Sequence, residues 1–225
     1  MKDIQMSGLA NWLVLKCLNT FWRNMNIWKR FRGRKIKLLD AGCGRHSPMT
    51  KVIKAQKFDA IGLDIFEPNI VEAQHSGIYQ DVLIGDARGL PFKDKQFDLS
   101  VFIEVLEHLD KDDGEKALAE LQRVSRETVL VTTPINESAH HDYYGNPHEE
   151  HKYIWSLEEL RAKGFTIRGK GIRGLTAGDR WWLSFPMFMR PLQYAVYISG
   201  SLFSYFIPSI AASVIAWKDL EIAKC

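Results

Sequence analysis

Three aspartates stand at the ends of short apolar runs, at Asp40, Asp64 and Asp86. A carboxylate can accept hydrogen bonds from two donors at once, such as the vicinal hydroxyls of a ribose. Asp64 lies twenty residues beyond Gly44, which is the usual offset of a ribose-binding acid in nucleotide-binding folds. Asp86 can accept from the exocyclic amine of an adenine. This spacing predicts a site for a nucleoside cofactor, although it does not by itself choose among such cofactors.

A glycine turn follows the first of these apolar runs. Gly42 and Gly44 allow a tight turn and close approach of the backbone to a ligand. In open α/β sheets, ligands lie beyond the carboxyl ends of the strands, which is where this turn is placed. The pattern is not the full G-x-G-x-x-G of phosphate-binding turns, since His46 interrupts it and no later glycine completes it.

Apolar strands and helical stretches alternate from residue 36 onward. Strands are predicted at 36–39, 58–64, 81–86, 96–103, 128–133, 165–170 and 212–218, and helices at 47–56, 67–76 and 111–125. Repeated strand–helix–strand order predicts an α/β fold with a parallel sheet, helices on both faces and right-handed crossovers. The carboxyl ends of parallel strands share one edge, so the three acids are expected to lie together. A later helix is expected after Ser156, with Glu159 completing a capping box.

Five segments resemble, in order and spacing, the motifs of class I S-adenosylmethionine-dependent methyltransferases of the type-11 group. They are LLDAGCG at 38–44, GLD at 62–64, GDARGLPF at 85–92, FDL at 97–99 and EVLEHL at 104–109. The resemblance covers about residues 36–165. It implies a Rossmann-like, seven-stranded, mostly parallel sheet whose last strand is antiparallel. This cofactor has no pyrophosphate, which accommodates the incomplete glycine pattern.

The resemblance also implies the cofactor-binding residues. Asp64 would hold the ribose hydroxyls, Asp86 and Ala87 would meet the adenine, and Glu104 with Val105 would close the floor of the pocket. Ile65, next to the ribose acid, is included in the site. The residues that would line the methionine part are Asp40, Ala41, Gly42, Cys43 and Gly44.

The implied activity is transfer of a methyl group from S-adenosyl-L-methionine to an oxygen or nitrogen nucleophile. The acceptor is unidentified, with a small molecule, a lipid or a sugar as the expected classes. The alternatives are an NAD-dependent oxidoreductase and a nucleoside-cofactor-binding protein without catalysis. No nucleic-acid partner is expected, and the oligomeric state stays open.

A histidine-rich loop after the fifth strand supplies the catalytic candidates. Residues 140–151 hold four of the seven histidines, and loops on a rigid scaffold often carry function. The candidates for a base near the acceptor are His141, Tyr144, His148 and His151. The alternative is a solvated polar loop. A metal on His148 and His151 would match no recognised ligand pattern, so no metal is predicted.

The chain is expected to have two parts, an N-terminal segment 1–35 and a methyltransferase domain at 36–225. The first is predicted to be an amphipathic helical cap with a basic linker, since no acid stands between Asp3 and Asp40. Such a basic, aromatic helix also suits an anionic membrane surface. Three widely spaced cysteines and no signal-peptide pattern predict a cytoplasmic protein.

A hydrophobic insertion is expected within the domain at about 181–208. Residues 191–217 carry no charge, and a stretch of this length could span a bilayer. The alternatives are a true span, a buried or substrate-covering helix, and a segment lying on the membrane surface. Peripheral membrane contact is therefore part of the prediction.

Overall fold

The chain divides into two compact units, Met1–Lys35 and Ile36–Cys225. The computed structural model describes residues 30–45, 47–135, 145–171, 199–200 and 202–220. In the first unit, the Arg34 amide donates to the Phe31 carbonyl at 3.1 Å in a turn that follows a helical end. Most of the predicted N-terminal cap lies outside the described residues. The second unit carries the sheet and is described from here on.

Seven strands, four α-helices and further helical residues at 199–200 and 202–206 lie in the described part of this unit. In chain order the strands and α-helices are β1 (Lys37–Ala41), α1 (Thr50–Gln56), β2 (Asp59–Asp64), α2 (Glu67–His75), β3 (Asp81–Ile84), β4 (Phe97–Ile103), α3 (Lys111–Val124), β5 (Ser125–Pro134), α4 (Leu157–Ala162), β6 (Thr166–Lys170) and β7 (Ser213–Asp219). Short 3₁₀ helices occupy Leu106–His108 and Pro208–Ile210.

The sheet has the strand order β3-β2-β1-β4-β5-β7-β6. The first five strands are mutually parallel, and β7 runs antiparallel between β5 and β6. The predicted Rossmann-like, seven-stranded sheet with an antiparallel last strand is therefore confirmed. Strand order reverses between β1 and β4, and the crevice at such a switch point is where open α/β sheets bind ligands.

Several strand bounds differ by one to three residues from the sequence-based prediction, and two of these differences lie at the predicted site. The first strand was expected to end at Leu39, but its ladder continues, with Asp40 opposite Gly62 and Ala41 opposite Leu63. Asp40 thus lies inside β1, one residue before its end. The third strand was expected to reach Asp86, but β3 ends at Ile84, so Asp86 lies in the following loop.

Apolar side chains from the strands and α3 build the main core. Every residue of β4 is buried, as expected for a central parallel strand covered on both faces. On α3, Ala117, Leu118, Leu121 and Val124 recur at helical spacing, and all are buried in the same cluster. The predicted capping box of α4 is confirmed: the Ser156 hydroxyl accepts from the Glu159 amide, and the Glu159 carboxylate accepts from the Ser156 amide.

The uncharged stretch 191–217 is divided among several elements where it is described. Residues 199–200 and 202–206 are helical, a 3₁₀ turn follows, and the stretch ends inside β7. Residues 213–217 therefore belong to the sheet. Among the described residues, no helix is both long and apolar enough to cross a membrane. Of the predicted insertion, residues 181–198 and residue 201 lie outside the described part.

Candidate active site

A cavity of about 630 Å³ opens along the carboxyl ends of the first four strands. Its walls include residues 42–45 after β1, 63–65 at the end of β2, 85–88 after β3 and 103–105 after β4. This volume lies in the range of sites that enclose a small organic ligand. Of the predicted cofactor-binding residues, nine line it: Gly42, Cys43, Gly44, Asp64, Ile65, Asp86, Ala87, Glu104 and Val105.

The glycine turn after β1 is hydrogen-bonded to the end of the neighbouring strand β2. Gly42 and Gly44 have φ angles of 71° and 55°, a region that side chains disfavour. The amides of Gly42 and Cys43 both donate to the Leu63 carbonyl, at 2.6 and 3.0 Å. A Cβ on Gly42 would lie 2.4 Å from Cγ2 of Val105, whereas a Cβ on Gly44 would meet nothing within 4 Å. Position 42 therefore requires glycine for two reasons: the positive φ angle of its backbone, and the lack of space beside the Val105 side chain.

Asp64 receives hydrogen bonds from both sides of the cavity wall. Its Oδ2 accepts from the Gly44 amide at 2.8 Å, and its Oδ1 accepts from the Phe66 amide at 2.9 Å and from Asn69 Nδ2 at 3.3 Å. A carboxylate has about four acceptor positions, so one remains, on Oδ2. Asp64 can therefore accept one further donor from a ligand without giving up a contact within the protein.

Asp86 lies beside a positive charge. Arg88 donates from Nε to both oxygens of Asp86 at 2.9 Å, and its Nη1 reaches Asp113 at 2.6 Å. These bonds from Arg88 lower the pKa of Asp86, against a smaller opposing effect of burial. Asp86 is thus held ionised as an acceptor, and its neighbour Ala87 also lines the cavity.

The loop that carries Asp86 is fastened to the end of α3. Arg123 donates to the carbonyls of Phe92 and Leu90 at 2.8 and 3.0 Å, and the Glu120 carboxylate accepts from the Leu90 amide at 2.8 Å. Charge-assisted bonds of this kind position a loop more firmly than neutral ones. The Asp86 side of the cavity is therefore held in place by bonds within the protein.

Asp40 and Ala41 do not line the cavity, because both are fully buried in β1. Asp40 Oδ2 accepts from the hydroxyls of Ser47 and Tyr79, at 2.6 and 2.7 Å. Its Oδ1 has no partner among the described residues. Burial raises the pKa of Asp40 to about 6, although the two hydroxyl bonds oppose the shift. Asp40 supports the cavity wall through Ser47, which does line it.

Cys43 contributes a protonated thiol to the wall. Burial, followed by the nearby charges of Asp40 and Asp64, raises the pKa of this thiol far above neutrality. A thiol is a poor nucleophile compared with its thiolate. Cys43 therefore acts as a small packing residue, consistent with its position in the glycine turn.

Glu104 closes the floor in an unusual backbone conformation, with φ of 54°. Its Oε1 accepts from the Thr132 hydroxyl at 2.8 Å and from Lys170 Nζ at 2.9 Å. Burial alone would raise the pKa of Glu104, but the Lys170 charge and these bonds outweigh it and the net shift is downward. Non-glycine residues in this conformation are found preferentially at functional sites.

The histidine-rich loop is only partly described. His148 lines the cavity, and its amide donates to Asn146 Oδ1 at 3.0 Å. His151 is half-buried beside His108, with ring centroids 5.0 Å apart. His141 and Tyr144 lie outside the described residues. The structure thus brings His148 to the cavity and His151 to its neighbour His108.

Several lining residues were not anticipated from the sequence. His108 was not among the predicted site residues, yet it lines the cavity together with Asn69, Arg88, Asp113, Asn146 and Lys152. The signal for His108 was its position one residue after the EVLE motif that forms the floor. Arg88 lies within the GDARGLPF motif at 85–92, whereas Asn69 and Asp113 come from helices α2 and α3. Asn146 and Lys152 come from the segment after β5, and only the folded sheet brings these residues to one edge.

The strand order and the cavity at the sheet edge are similar to those that the motif resemblance implies for class I S-adenosylmethionine-dependent methyltransferases. Residues 39–131 match the family described as "Methyltransferase domain". The match falls on the segments that carry most of the sequence motifs, and the resemblance seen in those motifs is confirmed. S-adenosylmethionine is the cofactor of this class, as expected.

Similar proteins extend the comparison. Norajmaline N-methyltransferase of Rauvolfia serpentina is 32% identical over 109 residues, covering 46% of this chain and 37% of that protein. The tRNA (carboxymethyluridine(34)-5-O)-methyltransferase of Arabidopsis thaliana is 38% identical over 98 residues, covering 42% of this chain and 23% of that protein. The chain thus spans well under half the length of either curated relative.

A solved structure shares the fold over most of the chain. The crystal structure of a SAM-dependent methyltransferase from Archaeoglobus fulgidus superposes with a TM-score of 0.58 at 19% identity. The superposition covers 91% of this chain and 94% of the other. At this identity the likeness establishes the fold.

Replacing Gly42 by alanine should cost more stability than the same change at Gly44. Both variants meet the penalty of a positive φ, about 1 kcal/mol, but only Gly42→Ala also forces Val105 to move. Overpacking of this kind adds about 1–3 kcal/mol to the loss in unfolding free energy, measured by urea denaturation. Val105→Ala in the Gly42→Ala background should recover part of that loss. Equal losses in the two single variants would contradict the predicted contact.

Asp40→Asn should stabilise the protein increasingly as pH rises. The native pKa is raised from an ordinary value near 4 to about 6. The native state therefore binds this proton more tightly, and the associated stability is lost as pH rises through 6. The variant's advantage in unfolding free energy should grow by about 1 kcal/mol between pH 5 and 7.5. A difference independent of pH would show that Asp40 is not desolvated.

Proposed function

We propose that this chain is an S-adenosylmethionine-dependent methyltransferase acting on an oxygen or nitrogen nucleophile of a small-molecule, lipid or sugar acceptor. The observation that carries the proposal is the cavity that joins the glycine turn, Asp64 and Asp86 along one sheet edge. The comparisons give no support to a nicotinamide-dependent oxidoreductase.

The charges of the cavity suit this cofactor. Its lining has five acidic side chains, Asp64, Asp86, Glu104, Asp113 and Glu149, and three basic ones, Arg45, Arg88 and Lys152. An acidic excess attracts the cationic sulfonium and ammonium of S-adenosylmethionine. A nicotinamide dinucleotide carries a negatively charged pyrophosphate, which the acids would repel.

The protein's own residues bind the cofactor, orient it towards the acceptor and exclude water from both. Asp64 offers its free Oδ2 position to a ribose hydroxyl, Asp86 with the Ala87 backbone takes the adenine, and the glycine turn leaves room for the methionine part. When bound, the cofactor would supply an electrophilic methyl group, because its sulfonium sulfur can leave with the electron pair of the broken C–S bond as an acceptor forms a bond to the methyl carbon. Aligning donor and acceptor in a dry cavity is then the main task of the protein.

A base is needed only for some acceptors. A hydroxyl has too high a pKa to attack unaided at neutral pH, so a nearby base would add about 10² to 10⁴ in rate. His148 is the described candidate at the cavity, and His141, Tyr144 and His151 remain candidates in the same loop. The relatives' names include an N- and an O-methyltransferase, so both nucleophiles stay within the proposal.

Calorimetry with S-adenosylhomocysteine and, separately, with NAD tests the cofactor assignment. We expect binding of the homocysteine nucleoside and none of NAD. Asp64→Asn should weaken that binding at least tenfold, since a hydrogen bond to a charged group contributes about 1.5–3 kcal/mol. Asp59→Asn, which removes a charge at the far end of the same strand, is the control. Unchanged affinity in folded Asp64→Asn, or preference for NAD, would overturn the proposal.

We further propose peripheral contact with a membrane surface. On the described part of the uncharged stretch, Leu202, Phe203 and Phe206 are 53%, 66% and 75% exposed. Clustered exposed apolar side chains mark interaction surfaces, and the basic segment 1–35 would be attracted to anionic lipid. A lipid or lipid-linked acceptor would then be presented at the bilayer.

Cosedimentation with phosphatidylcholine–phosphatidylglycerol vesicles at low salt measures this contact. The protein should pellet with the vesicles, and Phe203→Ser with Phe206→Ser should reduce the bound fraction severalfold. Ile84→Ser, at another exposed apolar residue on β3, is the matched control and should pellet normally. A protein that stays in the supernatant would defeat the membrane proposal without affecting the cofactor assignment.

A further inference from the structure

A buried carboxyl group, that of Glu107, lies near the cavity beside a second acid. Glu107 is 1% exposed, and its Oε2 accepts a 3.2 Å bond from the Thr133 hydroxyl. Its side chain also shares a hydrogen bond with the carboxyl group of Glu104, which Lys170 engages as well. Two carboxyl groups placed together in a buried site are costly unless a cation or a proton lies between them. Glu107 itself is not used in the proposed cofactor contacts.

Two imidazoles complete a group of potential ligands. Single donor atoms of Glu107, His108 and His151 all lie within 4.8 Å of one another. Two ligands on one tetrahedral cation, with bonds of about 2.0–2.1 Å, are separated by about 3.4 Å. Small rotations of these side chains would therefore bring all three onto one ion.

The hydrogen bonds around the cluster favour the ligating form of His108. Its Nδ1 lies 3.2 Å from the Glu150 carbonyl oxygen. A carbonyl can only accept, so Nδ1 is the nitrogen that carries the hydrogen in the neutral ring, and Nε2 is the nitrogen that can bind an ion. Metal-binding histidines are usually oriented by such a bond from their second nitrogen. Glu149 Oε2, 3.9 Å from Nε2, adds another acid on the same side.

The backbone holds the two parts of the cluster together without any ion. The amides of Lys152 and Tyr153 both donate to the Glu107 carbonyl, at 2.8 and 3.2 Å. These bonds fix the segment that follows His151 onto the 3₁₀ turn that carries Glu107 and His108. The donor set is therefore assembled by the fold.

We propose that Glu107, His108 and His151 bind one divalent transition-metal ion of the Zn²⁺ class beside the cavity. Two imidazole nitrogens with one carboxylate suit zinc and its neighbours better than magnesium or calcium. Three protein ligands leave a fourth position open, as in catalytic zinc sites. Because His108 lines the cavity, an acceptor oxygen could take that position, a role that rests on the proposed function. Binding of the ion does not depend on that function.

This site departs from the sequence-based expectation of no metal. The pair considered there was His148 and His151, within the loop. The geometry instead joins His151 to Glu107 and His108 from the motif at 104–109. His148 therefore distinguishes the two possibilities experimentally.

The test is calorimetric titration of the EDTA-treated full chain with ZnCl₂, repeated with CoCl₂ while following visible absorption. We expect one saturable site, weakened at least tenfold in His108→Gln and in His151→Gln, since even outer partners of a metal ligand contribute about 10-fold to 100-fold. His148→Gln and His75→Gln, the latter exposed on α2, should bind as the unaltered protein does.

The outcomes separate this inference from the methyltransferase proposal. Absence of a saturable site, or equal weakening by His148→Gln, would overturn the metal site. Thermal unfolding and S-adenosylhomocysteine affinity of each variant report whether it is folded. Zinc binding with no response to S-adenosylhomocysteine would leave the metal site standing and sink the proposed function.

Discussion

The carboxylate of Asp64 ties the end of β2 to the glycine turn after β1. It accepts from the Gly44 amide on one side and from the Phe66 amide on the other, while the adjoining Leu63 carbonyl accepts from Gly42 and Cys43. Glycine residues can adopt many backbone conformations, and these hydrogen bonds hold the turn in one of them. The width of the cavity at its centre depends on this connection.

The other walls are fixed by independent devices. Arg88 joins Asp86 to Asp113, and Arg123 with Glu120 holds the loop that carries Asp86. On the floor of the cavity, Lys170 at the end of the edge strand β6 donates a hydrogen bond to Glu104. Each device spans elements far apart in sequence, so the preorganised site is a property of the completed sheet.

The sheet could be predicted from the sequence because its signals are local. Apolar runs such as 97–103, broken by turns and helical stretches, define the strands, and strand–helix alternation makes them parallel. The end of β1 was misplaced because pairing with β2 decides whether Asp40 and Ala41 remain in the ladder. As a result, Asp40 was expected in the cofactor pocket but lies buried behind it.

The parts of the site that could not be predicted from the sequence depend on contacts between segments far apart in the chain. Nothing near Asp86 in the sequence indicates that Arg88 would bridge it to Asp113 on α3. Likewise, the meeting of His108 with His151 requires the backbone bonds from Lys152 and Tyr153 to Glu107. Motif spacing specifies strand ends, whereas side-chain clusters between distant segments depend on packing.

A crystal structure of the protein with S-adenosylhomocysteine tests the central claim most directly. The account predicts the ribose at Asp64, with a hydroxyl donating to Oδ2, the adenine against Asp86 and Ala87, and the homocysteine along the turn at 42–44. Density for the nucleoside elsewhere on the protein, or none in the cavity at saturating concentration, would contradict it.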